Sequence, residues 1–216
     1  MDFVSMICQL LGGLLITVEI FFSTILIAFP LGFVIAFGRM SKNPVVSAVF
    51  RIFISIERGT PLMLQIMFIY YAPFWLFGLE LKMFPRLLAA VIAFSLNYAA
   101  YLAEIYRGGM LSIDLGQREA AKALGIDRFQ TFFRIILPQT IKRVIPAVGN
   151  EVITLVKDTS LAFTIAIKEM FTEAYEISSA HASMAPFVAV GVFYYIFNFI
   201  VAWTMERIEK RYSYYN

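Results

Sequence analysis

The chain has almost none of the residues that build redox, metal or disulfide chemistry. Its 216 residues include one cysteine, Cys8, and one histidine, His181. A single cysteine excludes an intrachain disulfide framework, and a single histidine cannot form a metal site unaided. No nucleophile–base pattern and no metal-ligand cluster is legible, so no catalytic residue and no metal ligand is assigned. The sequence has no G-x-x-x-x-G-K-[ST] phosphate loop, which excludes ATP hydrolysis by that route. The start, Met1-Asp2-Phe3, lacks a basic region, and the apolar run that follows is too long for a cleaved signal, so the first span is expected to stay in the mature protein. Charge is also scarce, at 15% of residues and a net +3.

Apolar length is what the chain has in abundance. Hydrophobic residues make up 60%, phenylalanine alone accounts for 22, and the mean hydropathy is +0.76. A spanning helix needs ~20 largely apolar residues. Five stretches qualify, at about 10–37, 50–77, 87–106, 144–167 and 186–205. The expectation is an all-α integral membrane protein, one transmembrane domain over 1–216 with no repeat and no soluble domain. Residues 42–53 are expected to lie along the membrane surface, starting at the turn-forming Asn43-Pro44. Trp75, Trp203, Tyr70, Tyr71, Tyr212, Tyr214 and Tyr215 suit interface depth.

Lysine and arginine orient these spans. Arg39, Lys42, Arg51 and Arg58, the basic residues from Arg107 to Arg143, and Arg207, Lys210 and Arg211 fall on one side. The opposite side holds only Lys82, Arg86 and Lys168. The bias puts the N-terminus outside, with residues 107–143 and the C-terminus in the cytoplasm. The net positive charge is thereby explained by topology and needs no nucleic acid.

The cytoplasmic segment reads EAAKALGIDRFQTFFRIILP over 119–138. Gln117 to Leu124 is alanine-rich and predicts a short helix, stopped by Gly125. A second helix follows, with Phe129, Phe132, Phe133 and Ile136 at i, i+3, i+4 and i+7, and Pro138 is expected to end it. Glu119-Ala120-Ala121, three residues, Gly125, nine residues and Ile135-x-Leu137-Pro138 resemble the EAA loop of ABC importer permeases at every position. The resemblance implies a short cytoplasmic coupling helix in which Glu119, Ala120, Ala121, Leu124 and Gly125 meet a partner ATPase.

Ionisable groups inside a spanning helix are costly and usually face a cavity. Glu19 lies roughly 15 Å into the first span at ~1.5 Å per residue. It reads either as a structural pair with Lys157 or an arginine of a neighbouring span, or as a substrate contact, and a buried carboxylate there leans toward a cationic substrate. Asn150-Glu151 and Lys157-Asp158-Thr159-Ser160 interrupt the fourth span, where the helix is expected to unwind. Glu57-Arg58-Gly59-Thr60-Pro61 breaks the second, with Glu57 and Arg58 read as solvated. Asn97 is a mid-span lumen candidate, and Glu104 with Arg107 reads as an i,i+3 pair.

Arg58-Gly59-Thr60-Pro61-Leu62, Asn97-Tyr98-Ala99-Ala100-Tyr101 with Glu104, and Asn150-Glu151 with Lys157-Asp158-Thr159-Ser160-Leu161 resemble the polar amino acid branch of ABC importer permeases, which serves histidine, arginine, lysine, glutamine, glutamate and related substrates. That resemblance covers the whole chain. It implies a type I ABC importer-like, five-span permease in a prokaryotic plasma membrane, paired with a second copy or a close homologue. Two cytoplasmic ATPases would hold the ATP and magnesium, so this chain needs no cofactor of its own. An external solute-binding protein would deliver the amino acid. The implied substrate site is Glu19, Thr60, Asn97, Asp158, Thr159, Ser160 and Leu161, and basic amino acids are the expected cargo. The rival reading is an ion-coupled secondary transporter in which Glu19 or Asp158 titrates.

Overall fold

Alanines decide where this chain packs most closely. In the computed structural model, which describes residues 3–80 and 84–212, helix α4 (Arg86–Leu111) contacts four other helices. Its buried face carries Ala89, Ala90, Ala93, Ala99, Ala100 and Ala103, filled out by Phe94 and Leu102. Small side chains let helices approach closely where lipid supplies no hydrophobic drive between them. Helix α1 (Phe3–Arg39) lies along α4, burying a stripe through Leu10, Gly13, Thr17, Ile20, Thr24 and Ala28. Its 37 residues extend about 55 Å at ~1.5 Å each, well beyond a ~30 Å hydrocarbon core. The expected span at 10–37 is therefore part of a longer helix.

The second expected span divides. Helix α2 (Pro44–Gly59) and helix α3 (Leu62–Phe77) meet at a bend of 110°. Asn43 starts α2 by accepting the Val45 N–H at 2.9 Å, with Pro44 in the first turn. Thr60, ahead of Pro61, is forced into extended backbone (φ −120°, ψ 149°), which ends α2 and turns the chain. Residues 50–59 thus belong to a separate, amphipathic helix whose one buried residue is Ile54. The expected surface-lying segment extends to Gly59 instead of stopping at residue 53.

Helix α5 (Leu115–Ala123) and the short helix α6 (Arg128–Gln130) form a hairpin. From α6 the chain passes through a π-helical stretch, Thr131–Ile136, into helix α7 (Leu137–Asp158). Here the structure overturns one expectation: Pro138 begins α7 and does not end the preceding helix. A proline in the first turn of a helix gives up no bond. The wider π turn just before it lets the Leu137 N–H reach the Phe132 carbonyl. The change of winding also splits the expected Phe129–Ile136 stripe. Ile136 is buried and Phe132 half-buried, while Phe129 and Phe133 remain exposed.

At the other end of α7 the backbone tightens into a 3-10 segment, Thr159–Ile165, where unwinding was expected. Helices α8 (Met170–His181) and α9 (Ala185–Tyr212) complete the chain. Among the described residues, α1, α4 and α9 are long and apolar enough to cross a membrane, and the α2–α3 pair makes a fourth crossing if counted as one. Helix α7 falls short because Lys142, Arg143, Asn150, Glu151, Lys157 and Asp158 dilute it. Lys82, Tyr214 and Tyr215 lie outside the described residues.

The expected sidedness is open to direct measurement. In a Cys8→Ser background, cysteines at Ser112, which caps α4, and at Met184, exposed in the α8–α9 turn, should label from opposite faces of sealed cells. Labelling of both from one face would sink the five-span topology.

Candidate functional site: a capped hairpin and a polar mid-bundle set

The hairpin at 114–136 is fixed by its termini. The Gly116 N–H donates to Asp114 Oδ1 at 2.7 Å, so α5 starts two residues earlier than alanine content alone predicts. At the other end Gly125 has φ +74°, a left-handed conformation open to glycine. Its N–H donates to the Lys122 carbonyl at 3.0 Å, and the Ile126 N–H to the Ala121 carbonyl at 2.9 Å. These two bonds make a Schellman cap. Asp127 then caps the next turn, accepting the Phe129 N–H at 2.8 Å and the Gln130 N–H at 3.0 Å. Gln117 and Gln139 exchange side-chain amide bonds of 3.1 and 2.6 Å, which clasp α5 to α7.

The expected docking residues do not all face outward. Ala120, Leu124, Gly125 and Glu119 are exposed, with Leu124 at 78%. Ala121 is buried inside the hairpin, because it lies on the side of α5 that turns toward the chain's own core. The Ala120–Ala121 pair is therefore not one outward surface. Leu115 and Phe129 join Leu124 as large apolar side chains left bare.

Within the bundle, the expected substrate residues separate into two groups. Asn97 is buried, and its amide nitrogen donates to the Glu57 carbonyl and to Gln65 Oε1, both at 3.0 Å. Gln65 in turn donates to Thr60 Oγ1 at 2.8 Å. Asn97 and Thr60 thus belong to one network that sets the α2–α3 bend. Arg58 lies 5.1 Å from the Tyr101 ring centroid, so it is a cation over an aromatic face as well as a solvated side chain. Glu104 and Arg107 form the expected i,i+3 pair at 2.6 Å.

The second group surrounds the end of α7. Tyr98 donates to Asp158 Oδ2 at 2.7 Å, tying α4 to α7. Thr159 is fully buried and donates to the Val156 carbonyl at 2.7 Å, whereas Ser160 and Leu161 are half-buried. Glu19 stands apart. It is exposed on the outward stripe of α1, between Leu15 and Phe22, and makes no ion pair with Lys157, which is itself exposed. The structural-pair reading of Glu19 has no support in this arrangement.

An apolar helical bundle bearing a capped hairpin with this spacing invites comparison with known transporters. The family described as the binding-protein-dependent transport system inner membrane component matches residues 28–214. The L-cystine transport system permease protein TcyB of Bacillus subtilis (strain 168) is 37% identical, over 93% of this chain and 85% of its own length. The arginine transport system permease protein ArtQ of the same organism is 34% identical, over 98% and 97%. A crystal structure of an amino acid ABC transporter with histidines superposes with a TM-score of 0.87 at 31% identity, over 98% of this chain and 99% of that one. The chain belongs to the amino acid ABC importer permeases of this family.

In such importers the ATPase is a separate subunit, consistent with a permease that carries no phosphate loop. One feature of this permease escaped sequence reading. Glu169 is completely buried and caps α8, accepting the Phe171 N–H at 2.8 Å and the Thr172 N–H at 2.7 Å. The Thr172 hydroxyl donates to the same carboxylate at 2.8 Å and the Tyr194 hydroxyl at 3.0 Å. Burial pushes its carboxyl above the ordinary range, opposed by these donors. Beside it the Met170 N–H donates to the Thr17 hydroxyl at 3.3 Å, which brings α1 into the same knot. The available signal was an acid just ahead of a helical run, three residues before Thr172.

Proposed function

We propose that this permease imports basic amino acids through a path formed between two copies of itself, and that its hairpin seats in a groove of each ATPase. Arginine, lysine and histidine are the cargo this reading favours. The observation that carries it is Glu19. A carboxylate on the outward, otherwise apolar stripe of α1 would cost at least ~2.5 kcal/mol against lipid. A second copy laid over that stripe turns it into the wall of an aqueous path, where a cationic side chain matches the charge. The relative that transports arginine supports the same cargo class. Five spans with the N-terminus outside put the hairpin in the cytoplasm. There Ala120, Leu124 and Gly125, with the bare Leu115 and Phe129, form the seat for the ATPase. Asp158, Ser160 and Leu161 are further contributors to the path, and Asn97, Thr60 and Thr159 hold its walls. The external binding protein delivers the amino acid, and closure of the ATPase pair on ATP draws the hairpins together and rocks the bundles.

Glu19→Gln tests the cargo. A charge-assisted contact is worth about 1.5–3 kcal/mol, so equilibrium binding of arginine to the purified complex should weaken about tenfold or more. Detergent thermostability should hardly move. Unchanged arginine affinity with a lower melting temperature would leave Glu19 a structural residue.

A further inference from the structure

Beneath the coupling hairpin lies a cavity of about 530 Å³ that the transport cycle above does not use. Its floor is apolar, formed by Phe37 at the end of α1, Met110 at the end of α4, and Phe132 and Ile136 from the π-helical stretch. Its rim is basic. Lys42, Arg118, Lys122 and Arg128 line it against a single acid, Glu119. None of the four cations makes an ion pair among the described residues. Arg118 donates through Nη2 to the Met110 carbonyl at 3.3 Å, but its Nε is buried and has no hydrogen-bond partner among the described residues. Four cations against one acid give the cavity a net positive charge that an anionic ligand would match.

We infer that this cavity binds the headgroup phosphate of an anionic phospholipid, with the start of an acyl chain on the Phe37–Phe132 floor. The inference rests on the cytoplasmic placement of the hairpin proposed above. That placement puts the cavity where α1 and α4 leave the bilayer, beside the leaflet that carries anionic lipid. Both halves of the cavity match such a ligand. A soluble phosphate would use the cations and leave the aromatic floor bare, whereas a zwitterionic lipid would bring its own ammonium group among Lys42, Lys122 and Arg128. The lipid would bridge α1, α4 and α5, so its occupancy would stiffen the seat of the hairpin.

The test uses the purified permease–ATPase complex in nanodiscs of equal parts phosphatidylcholine and phosphatidylglycerol, with bound lipid read by native mass spectrometry. The wild-type complex should retain phosphatidylglycerol in preference to phosphatidylcholine. Arg118→Gln with Lys122→Gln should lower phosphatidylglycerol retention about tenfold or more and leave phosphatidylcholine unchanged. Lys42→Gln, an exposed turn residue that does not threaten the fold, should lower it about fivefold. Equal retention in these variants would overturn the inference. So would equal competition by glycerophosphoglycerol, which has no acyl chain, because it would indicate a soluble phosphate site. Retention that emerges only after the ATPase is stripped away would assign the cavity to the protein partner. Both leaflets of the disc have the same composition, so a wrong topology would surface in the Ser112 and Met184 labelling and not here.

Discussion

Gly13→Val should destabilise the permease strongly. A Cβ at Gly13 would sit 2.8 Å from Met170 Cα and 2.9 Å from Met170 N, and both are backbone atoms that no rotamer change can move. The same turn holds the Thr17 hydroxyl, which donates to the Gly13 carbonyl at 3.1 Å and accepts from Met170 N–H. Pushing α8 away breaks that link and loosens Glu169. Overpacking of this kind costs about 1–3 kcal/mol or more, and at the upper end the melting temperature should fall by about 10 °C. Gly12→Ala is the control: beyond its own helical turn, none of the described residues lies within 4 Å of the added Cβ, and alanine favours the helix by ~1 kcal/mol. A wild-type melting temperature in Gly13→Val would show that α1 and α8 do not need this close approach.

Gly125→Leu should leave the bundle folded and abolish coupling. A Cβ at Gly125 meets nothing within 4 Å, so the penalty is confined to the backbone at φ +74°, about 1–2 kcal/mol for a residue with a side chain. That is enough to undo the Schellman cap that aims Leu124 outward, and too little to unfold helices packed elsewhere. Substrate-stimulated ATPase activity of the reconstituted complex should fall to its basal rate while assembly and melting temperature persist. Gly125→Asn, which tolerates the left-handed conformation, should keep most of the coupling. Normal stimulation in Gly125→Leu would remove this turn from the coupling route. Ala121→Arg is a different experiment: Ala121 is buried, so that variant would report on hairpin packing and not on docking.

The legible parts of this molecule were those whose cause is local. Gly125 stops α5 because one residue must turn left-handed, and glycine announces that. The break at 57–61 follows from the residue ahead of Pro61. Glu104 and Arg107 meet because a helix turn brings i and i+3 together. The misread parts have causes several residues or several helices away. Pro138 looks like a terminator until the π turn before it is known to free its position from hydrogen bonding. Ala121 and Ala120 are neighbours in sequence, but a rotation of about 100° per residue puts them on different sides of α5. Asn97 could be recognised as polar and mid-span. What it bonds, Gln65 and the Glu57 carbonyl, depends on a 110° bend that no periodicity reveals. Glu169 was hidden because an acid beside Lys168 resembles a surface pair, whereas Lys168 pairs with Glu176.

The Glu169 knot also sets an order of events during synthesis. Thr17 and the Met170 N–H that it receives are 153 positions apart, and Tyr194 lies 25 positions beyond Glu169. Chains emerge from the ribosome N-terminus first. Helix α1 can dock on the alanine face of α4 as soon as that helix has been made. Its N-terminal half must then wait, with Gly13 and Thr17 unsealed, through the making of α5, α6 and α7. Glu169 itself lacks its fourth donor until α9 enters the membrane. Helix α9 therefore closes the knot that α1 began, and a chain truncated before Tyr194 would present the quality-control machinery with a buried acid short of a partner.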